Sequence, residues 1–129
     1  LLGVLLMVVF LGGAFTDHPV HFVVTKPGPF DKDFVFLVEL LMSFVMMTVV
    51  LAVSNSGKAK WTGVIAGALI CMFIVLSATV SGFSINPART LASAIPSGDY
   101  TALWIYLTAP MGGMLLATFI FLVRKRKAI

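Results

Sequence analysis

Three polar residues stand out in an otherwise apolar chain because of where they fall: Glu39, Asn86 and Arg89. Asn86 opens the run Asn86-Pro87-Ala88-Arg89-Thr90, directly after Ser81-Gly82-Phe83-Ser84-Ile85. Asn is favoured as a helix N-cap and Pro at the first helical position, so Asn86-Pro87 predicts a helix start. As cap, the Asn86 side-chain oxygen accepts from the amide of Ala88 or Arg89. Its NH2 group is then free to donate to something else. Arg89 lies nearly one turn further on and adds a permanent charge. The positive end of the helix dipole favours an oxygen and disfavours cations and protons. This is chemistry for binding and orienting. No catalytic constellation, nucleotide loop or coupling-ion carboxylate pair accompanies it, so no enzyme activity is expected.

The elements that position these residues follow from hydropathy. The chain is 60% hydrophobic and 11% charged, with mean hydropathy +1.08. A soluble domain carries about 25% charge, so this is membrane-protein composition. At 129 residues one domain is the ceiling. The single cysteine, Cys71, excludes an internal disulfide and any cysteine-based metal cluster. The net charge of +4 reflects where the cations sit, not an affinity for nucleic acid. The helix opened by Asn86 runs to about Ile95 and rises roughly 13 Å, under half of a ~30 Å hydrocarbon core. It is a half-helix that cannot span.

Leu1 to about Phe15 reads as the end of an apolar helix too short to span, with Gly12-Gly13 marking its exit. The chain starts inside this run without Met or a basic leader, so it is expected to be a fragment. Thr16 to Asp33, with Pro19, Pro27, Gly28 and Pro29, predicts an irregular connection with a short extended piece at His21–Thr25. Phe34–Val53 is the first complete span, and Ser54–Lys60 a polar turn. Trp61–Val80 is the second span, where Gly63 and Gly67 form a small-xxx-small pair for a close helix neighbour. Ser81–Tyr100 returns through the half-helix, which Pro96-Ser97-Gly98-Asp99 is expected to end. Thr101–Val123 is the third span, where Pro110, Gly112 and Gly113 imply tight packing. Lys58 and Lys60 share one loop, and Arg124 to Lys127 come two crossings later, on the same side. The positive-inside rule makes that side, with the C-terminus, cytoplasmic. Trp61 and Tyr100 fall at span ends, as interfacial aromatics do.

Asn86-Pro87-Ala88-Arg89 after Ser81-Gly82 resembles the second signature loop of the aquaporin family, the major intrinsic proteins, which include glycerol facilitators. Glu39 with Ser43-Phe44 resembles the family's fourth span. Trp104-Ile105-Tyr106 followed by Pro110-Met111-Gly112-Gly113 resembles its sixth. The resemblance covers most of the chain, from the end of span three through span six. It implies an all-α membrane protein, an aquaporin-like half with a re-entrant half-helix, formed by residues 1–129 as a single transmembrane domain fragment. Family members carry two such loops in inverted repeats and this chain has one. The missing N-terminal half is therefore an implied partner, and a homotetramer the implied assembly of the complete protein.

The resemblance also implies roles. Asn86, Pro87 and Ala88 form the pore signature, with Asn86 one of two donors at mid-membrane. Arg89 belongs to the narrow outer filter, and Phe83 and Ile74 occupy two further filter positions. Water-selective relatives tend to carry a small residue and a His there, glycerol-conducting ones an aromatic and a Gly; Phe83 with Ile74 matches neither. An apolar wall with one arginine suits an amphipathic neutral solute. Thr90, Ala94 and Tyr106 look like the water-channel pattern, and Leu107 like the glycerol-channel pattern. Carbonyls of the stretch through Gly82, Phe83, Ser84 and Ile85 form an acceptor ladder, which the small Gly82 and Ser84 permit. Glu39 is a loop scaffold whose carboxylate accepts from backbone amides that would be costly orphans in lipid.

Other candidates read more plainly. Asp17, His18 and His21 are expected in a solvated loop, not a metal site. Met42, Met46 and Met47, and Cys71, are expected to be packing residues. The cationic C-terminal run sets orientation, with attraction to anionic lipid as a secondary property. The expected function is a passive channel for water and/or small uncharged solutes such as glycerol. The alternatives are a secondary transporter, which also uses broken helices at mid-membrane, and a non-conducting truncated membrane protein. No cofactor is expected, and the partners are the lipid bilayer and neutral permeants, not nucleic acid. The clustered cations favour one orientation, so two copies are not expected to build an inverted repeat, and these residues alone are expected to be inactive.

Overall fold

The apolar runs become helices in a computed structural model that describes residues 1–127. In chain order they are α1 (Leu2–Leu11), α2 (Gly13–Thr16), α3 (Lys32–Ser54), α4 (Thr62–Ser81), α5 (Pro87–Ser97) and α6 (Leu103–Lys127). Short 3-10 turns lie at His21–Val23 and Ala59–Trp61, and no strand occurs among the described residues. Helices over Lys32–Ser54, Ala59–Ser81 and Leu103–Arg126 are long and apolar enough to cross a membrane. The cationic run continues α6 as helix beyond the expected end at Val123; the side chain of Lys127 lies outside the described residues.

Helix α3 is the centre of the bundle. It buries Val35, Glu39, Met42, Ser43 and Met46, a stripe at helical spacing. One side packs along α6 and the other on α4. α3 and α6 run in the same direction: Val35 packs with Ile105, Tyr106 and Ala109 near their starts, and Gly113 meets Leu40 and Phe44 further along. Gly113 marks the closest approach. A Cβ there would collide with the Leu40 carbonyl oxygen and lie 2.9 Å from the Phe44 amide nitrogen. Between α3 and α4, Met42, Met46 and Phe73 form a second cluster with Phe83 and Ile85 of the following loop. Helices in lipid gain little from water expulsion, so such contacts hold by close packing and hydrogen bonds.

Several expectations need correction. The piece at His21–Thr25 is not extended at its start: His21, Phe22 and Val23 take φ of 38, 57 and 51°, a tight left-handed turn. Local bonds from Val23 N to Val20 O and from Val24 N to His21 O close it. The turn also sets the Phe22 ring edge-on to Phe15 at 5.8 Å. The half-helix does not stop before Pro96. A proline that late forfeits only its own bond back to the previous turn, and Gly98 at φ 69° terminates the helix instead. Gly63 and Gly67 receive no helix neighbour among the described residues; a Cβ at either meets nothing within 4 Å. Cys71 is exposed on the same helix and does not pack. Helix α1 buries none of its residues and breaks at Gly12.

Candidate functional site

The site is the Ser81–Thr90 loop, held from three directions. α4 ends at Ser81, and Gly82 turns the chain at φ 73°. Gly82 also admits a neighbour: a Cβ there would lie 2.6 Å from the Lys26 carbonyl. Gly28 N donates to Val80 O at 2.9 Å, so the Lys26–Gly28 segment lies across the end of α4. Phe83 and Ile85 then sit at φ 51 and 44°, left-handed values that bulky residues rarely adopt. Each costs roughly 1–3 kcal/mol and persists only where the surroundings over-determine it.

Glu39 supplies much of that determination. It is fully buried on α3. Its Oε1 accepts from the Ser81 hydroxyl at 2.7 Å and from Ser84 N at 2.9 Å, and its Oε2 from Ile85 N at 2.7 Å. The two oxygens of one carboxyl group thus accept from three donors. Ser81 in turn takes the amide of Phe83 at 3.2 Å. Its carbonyl accepts from the hydroxyl of the buried Tyr106 on α6 at 2.8 Å. The Ser84 hydroxyl lies 2.6 Å from that of Thr90 and donates to Asn86 O at 3.0 Å, fastening the loop to the first turn of α5. Among the described residues, no hydrogen bond reaches the carbonyls of Gly82, Phe83, Ser84 or Ile85.

Asn86 is the N-cap of α5, its Oδ1 accepting from Ala88 N at 2.9 Å. Asn86, Ala88 and Arg89 are exposed, while Thr90, Ser93 and Ala94 bury the opposite side of α5. The Arg89 guanidinium carbon sits 5.1 Å from the Phe83 ring centroid, a cation–π contact. Phe83 itself is 3% exposed, within the cluster of Met42, Met46, Phe73 and Ile85. Ile74 is 41% exposed. α4 buries Phe73, Ser77 and Ser81 along one face, and Ile74 follows Phe73 by one residue, about 100° around the helix. The loop therefore joins Asn86, Arg89, Phe83, Ser84 and Glu39, with Ile74 on the exposed face of α4.

Contacts that the sequence did not show complete the arrangement. Ser81 and Tyr106 bridge α4 and α6 at the loop's entry, and their only signal was a hydroxyl in a charge-free surrounding that needs a partner. Lys26 pairs with Asp99, tying the long connection to the turn after α5. His18 and His21 stack at 5.0 Å, and no group of three metal-binding side chains forms among the described residues.

A broken helix opening on a capped asparagine, beside three apolar spans, defines an all-α integral membrane protein built around a re-entrant loop. Residues 1–121 match the family described as Major intrinsic protein, and the chain belongs to that family. It is 34% identical over 106 residues to aquaporin NIP2-2 of Zea mays, covering 81% of this chain and 36% of that protein. It is 45% identical over 83 residues to aquaporin NIP4-1 of Oryza sativa subsp. japonica, covering 63% and 29%. Nodulin-26 of Glycine max is 32% identical over 88 residues, covering 67% and 32%. The chain thus spans about a third of the length of the curated relatives it matches.

Proposed function

We propose that this chain forms one half of a passive membrane channel for water and small uncharged solutes such as glycerol, completed by an inverted second half. The observation that carries this reading is the exposed start of α5. There Asn86 spends its side-chain oxygen on Ala88 N and keeps its NH2 donors for the lumen. Arg89 stands one turn away with the same exposure. A permeant oxygen meets donors only, and the dipole of α5 adds a positive potential that repels cations and protons.

In this reading Asn86, Pro87 and Ala88 form the pore signature, and Arg89, Phe83 and Ile74 the outer filter. Phe83 holds Arg89 over its ring, and its own side chain, buried in the cluster between α3 and α4, leaves no apolar surface for a solute to rest on, against the sequence expectation. The free carbonyls from Gly82 to Ile85 supply acceptors along the path, and Glu39 holds the loop that presents them. Lys58, Lys60 and the α6 cations lie on the cytoplasmic side, and the complete protein is a homotetramer. The relatives named aquaporins support the water reading.

The test is stopped-flow light scattering on vesicles containing the full-length protein, with osmotic and glycerol gradients. Channel activity is expected to rise linearly with the gradient and to ignore ion gradients. Saturating or ion-coupled flux would establish a transporter instead. Arg89→Val is expected to admit protons or cations, read with a pH-sensitive dye inside the vesicles. An unchanged proton barrier would remove Arg89 from the filter.

A further inference from the structure

Beyond Gly113, towards their C-terminal ends, α3 and α6 line a groove of about 670 Å3. On α3 it runs from Phe44 through Thr48 and Ala52 to Asn55, and on α6 from Ala117 to Arg124 and Lys125. Phe44 to Asn55 covers about 16 Å at 1.5 Å per residue. That is one leaflet's share of a ~30 Å hydrocarbon core. The polar groups of the α3 wall turn back onto their own backbone: the Thr48 hydroxyl donates to Phe44 O at 2.8 Å, and the Asn55 side-chain amide, just past the end of α3, to Leu51 O at 2.9 Å. What remains is an apolar trough with charge only at its mouth.

The sign of the mouth follows from a comparison of magnitudes. The C-terminal ends of α3 and α6 both lie there, each adding roughly half a negative charge. Arg124 and Lys125 bring two full positive charges, both exposed, and no carboxylate is among the residues that line the groove. The cations win, and the mouth is positive where headgroups lie.

We infer that this groove binds an anionic phospholipid, one acyl chain along the trough and the phosphate between Arg124 and Lys125. A soluble anion would use the mouth and leave the trough empty. A zwitterionic lipid would bring its own cation to the same two side chains. The anionic lipid alone satisfies both halves of the groove.

The experiment is native mass spectrometry of the full-length protein, titrated with phosphatidylglycerol, phosphatidylcholine or inorganic phosphate. Phosphatidylglycerol is expected to be retained at least about tenfold more tightly than phosphatidylcholine, with inorganic phosphate unable to displace it. Arg124→Gln with Lys125→Gln is expected to lose at least about tenfold in that retention. Ala52→Phe fills the trough from an exposed position without altering charge, and is expected to lose a similar factor. Wild-type retention by Ala52→Phe would overturn the groove, leaving only surface attraction to the cations. Equal retention of the two lipids by the unsubstituted protein would overturn the inference without recourse to any variant. So would displacement by inorganic phosphate.

Discussion

Glu39 Oε2 accepts the amide hydrogen of Ile85 at 2.7 Å, across 46 positions of sequence. The same carboxylate takes Ser84 N through its other oxygen. Two successive amides of a strained loop are thus anchored to one side chain on the central helix. Leaving a buried amide unpaired costs about 1–3 kcal/mol, comparable to the strain of the left-handed conformations of Phe83 and Ile85 that these bonds hold in place.

Glu39→Leu leaves those two amides without an acceptor, at about 1–3 kcal/mol for each buried group, and the Ser81 hydroxyl with only the longer bond to Ser77 O. Glu39→Gln keeps one acceptor oxygen. The full-length protein with Gln is expected to yield more folded, flux-competent material than the protein with Leu. Equal yields and equal osmotic flux for the two would contradict the anchoring role.

Tyr106→Phe deletes the donor to Ser81 O and nothing else in shape. The loss is expected to be about 1–2 kcal/mol, the range for a buried bond whose acceptor is left unpaired. It should appear as a lowered unfolding temperature in detergent with the helix content unchanged. An unchanged midpoint would mean that the Ser81 carbonyl finds another donor.

Adjacent glycines on α6 should behave oppositely. Gly113→Ala drives a Cβ into the Leu40 carbonyl and is expected to cost at least about 3 kcal/mol, because backbone must move. A Cβ at Gly112 meets only the Leu40 Cδ1 atom at 3.8 Å, ordinary contact, so Gly112→Ala should be neutral or slightly stabilising. Thermal unfolding of the two variants side by side decides it; similar losses would refute the close approach of α3 and α6 at Gly113.

The hydrogen bond from Lys26 holds the Asp99 carboxyl well below the usual carboxylate range, and bonds from Thr101 lower it further. A depressed acid contributes stability above its unfolded value of about 3.9 and loses it as pH falls through the folded value. The Lys26–Asp99 pair is therefore expected to stay intact from neutrality through pH 4. Lys26 is 43% exposed and Asp99 20%, so solvent screening keeps its contribution below about 1 kcal/mol. Lys26→Met should move the Asp99 titration, followed by carboxyl 13C chemical shift, up towards the ordinary value. An unmoved titration would assign the depression to Thr101.

The start of the half-helix was legible because its signal is local. Asn86 and Pro87 are adjacent, and the cap bond to Ala88 N needs nothing beyond the next two residues. The spans were legible for a similar reason: a run of apolar side chains is helical and membrane-length whatever it packs against. Their faces were not. When nearly every position is apolar, hydropathy carries no direction, so Cys71 looked like packing and is exposed, and Gly63 looked like a contact and meets open space.

The site divides along the same line. Sequence alone determined that Asn86 caps a helix too short to span and that Glu39 places a carboxyl group within an apolar run. Tertiary structure decided that Glu39 reaches Ser84 and Ile85, that Tyr106 closes on Ser81, and that Phe83 lies buried under Arg89 while Ile74 faces outward. Those relationships join residues tens of positions apart. They exist only once α3, α4 and α6 have docked, because a hydrogen bond needs its partners within about 3 Å, and sequence spacing sets that distance only within a turn or two of helix.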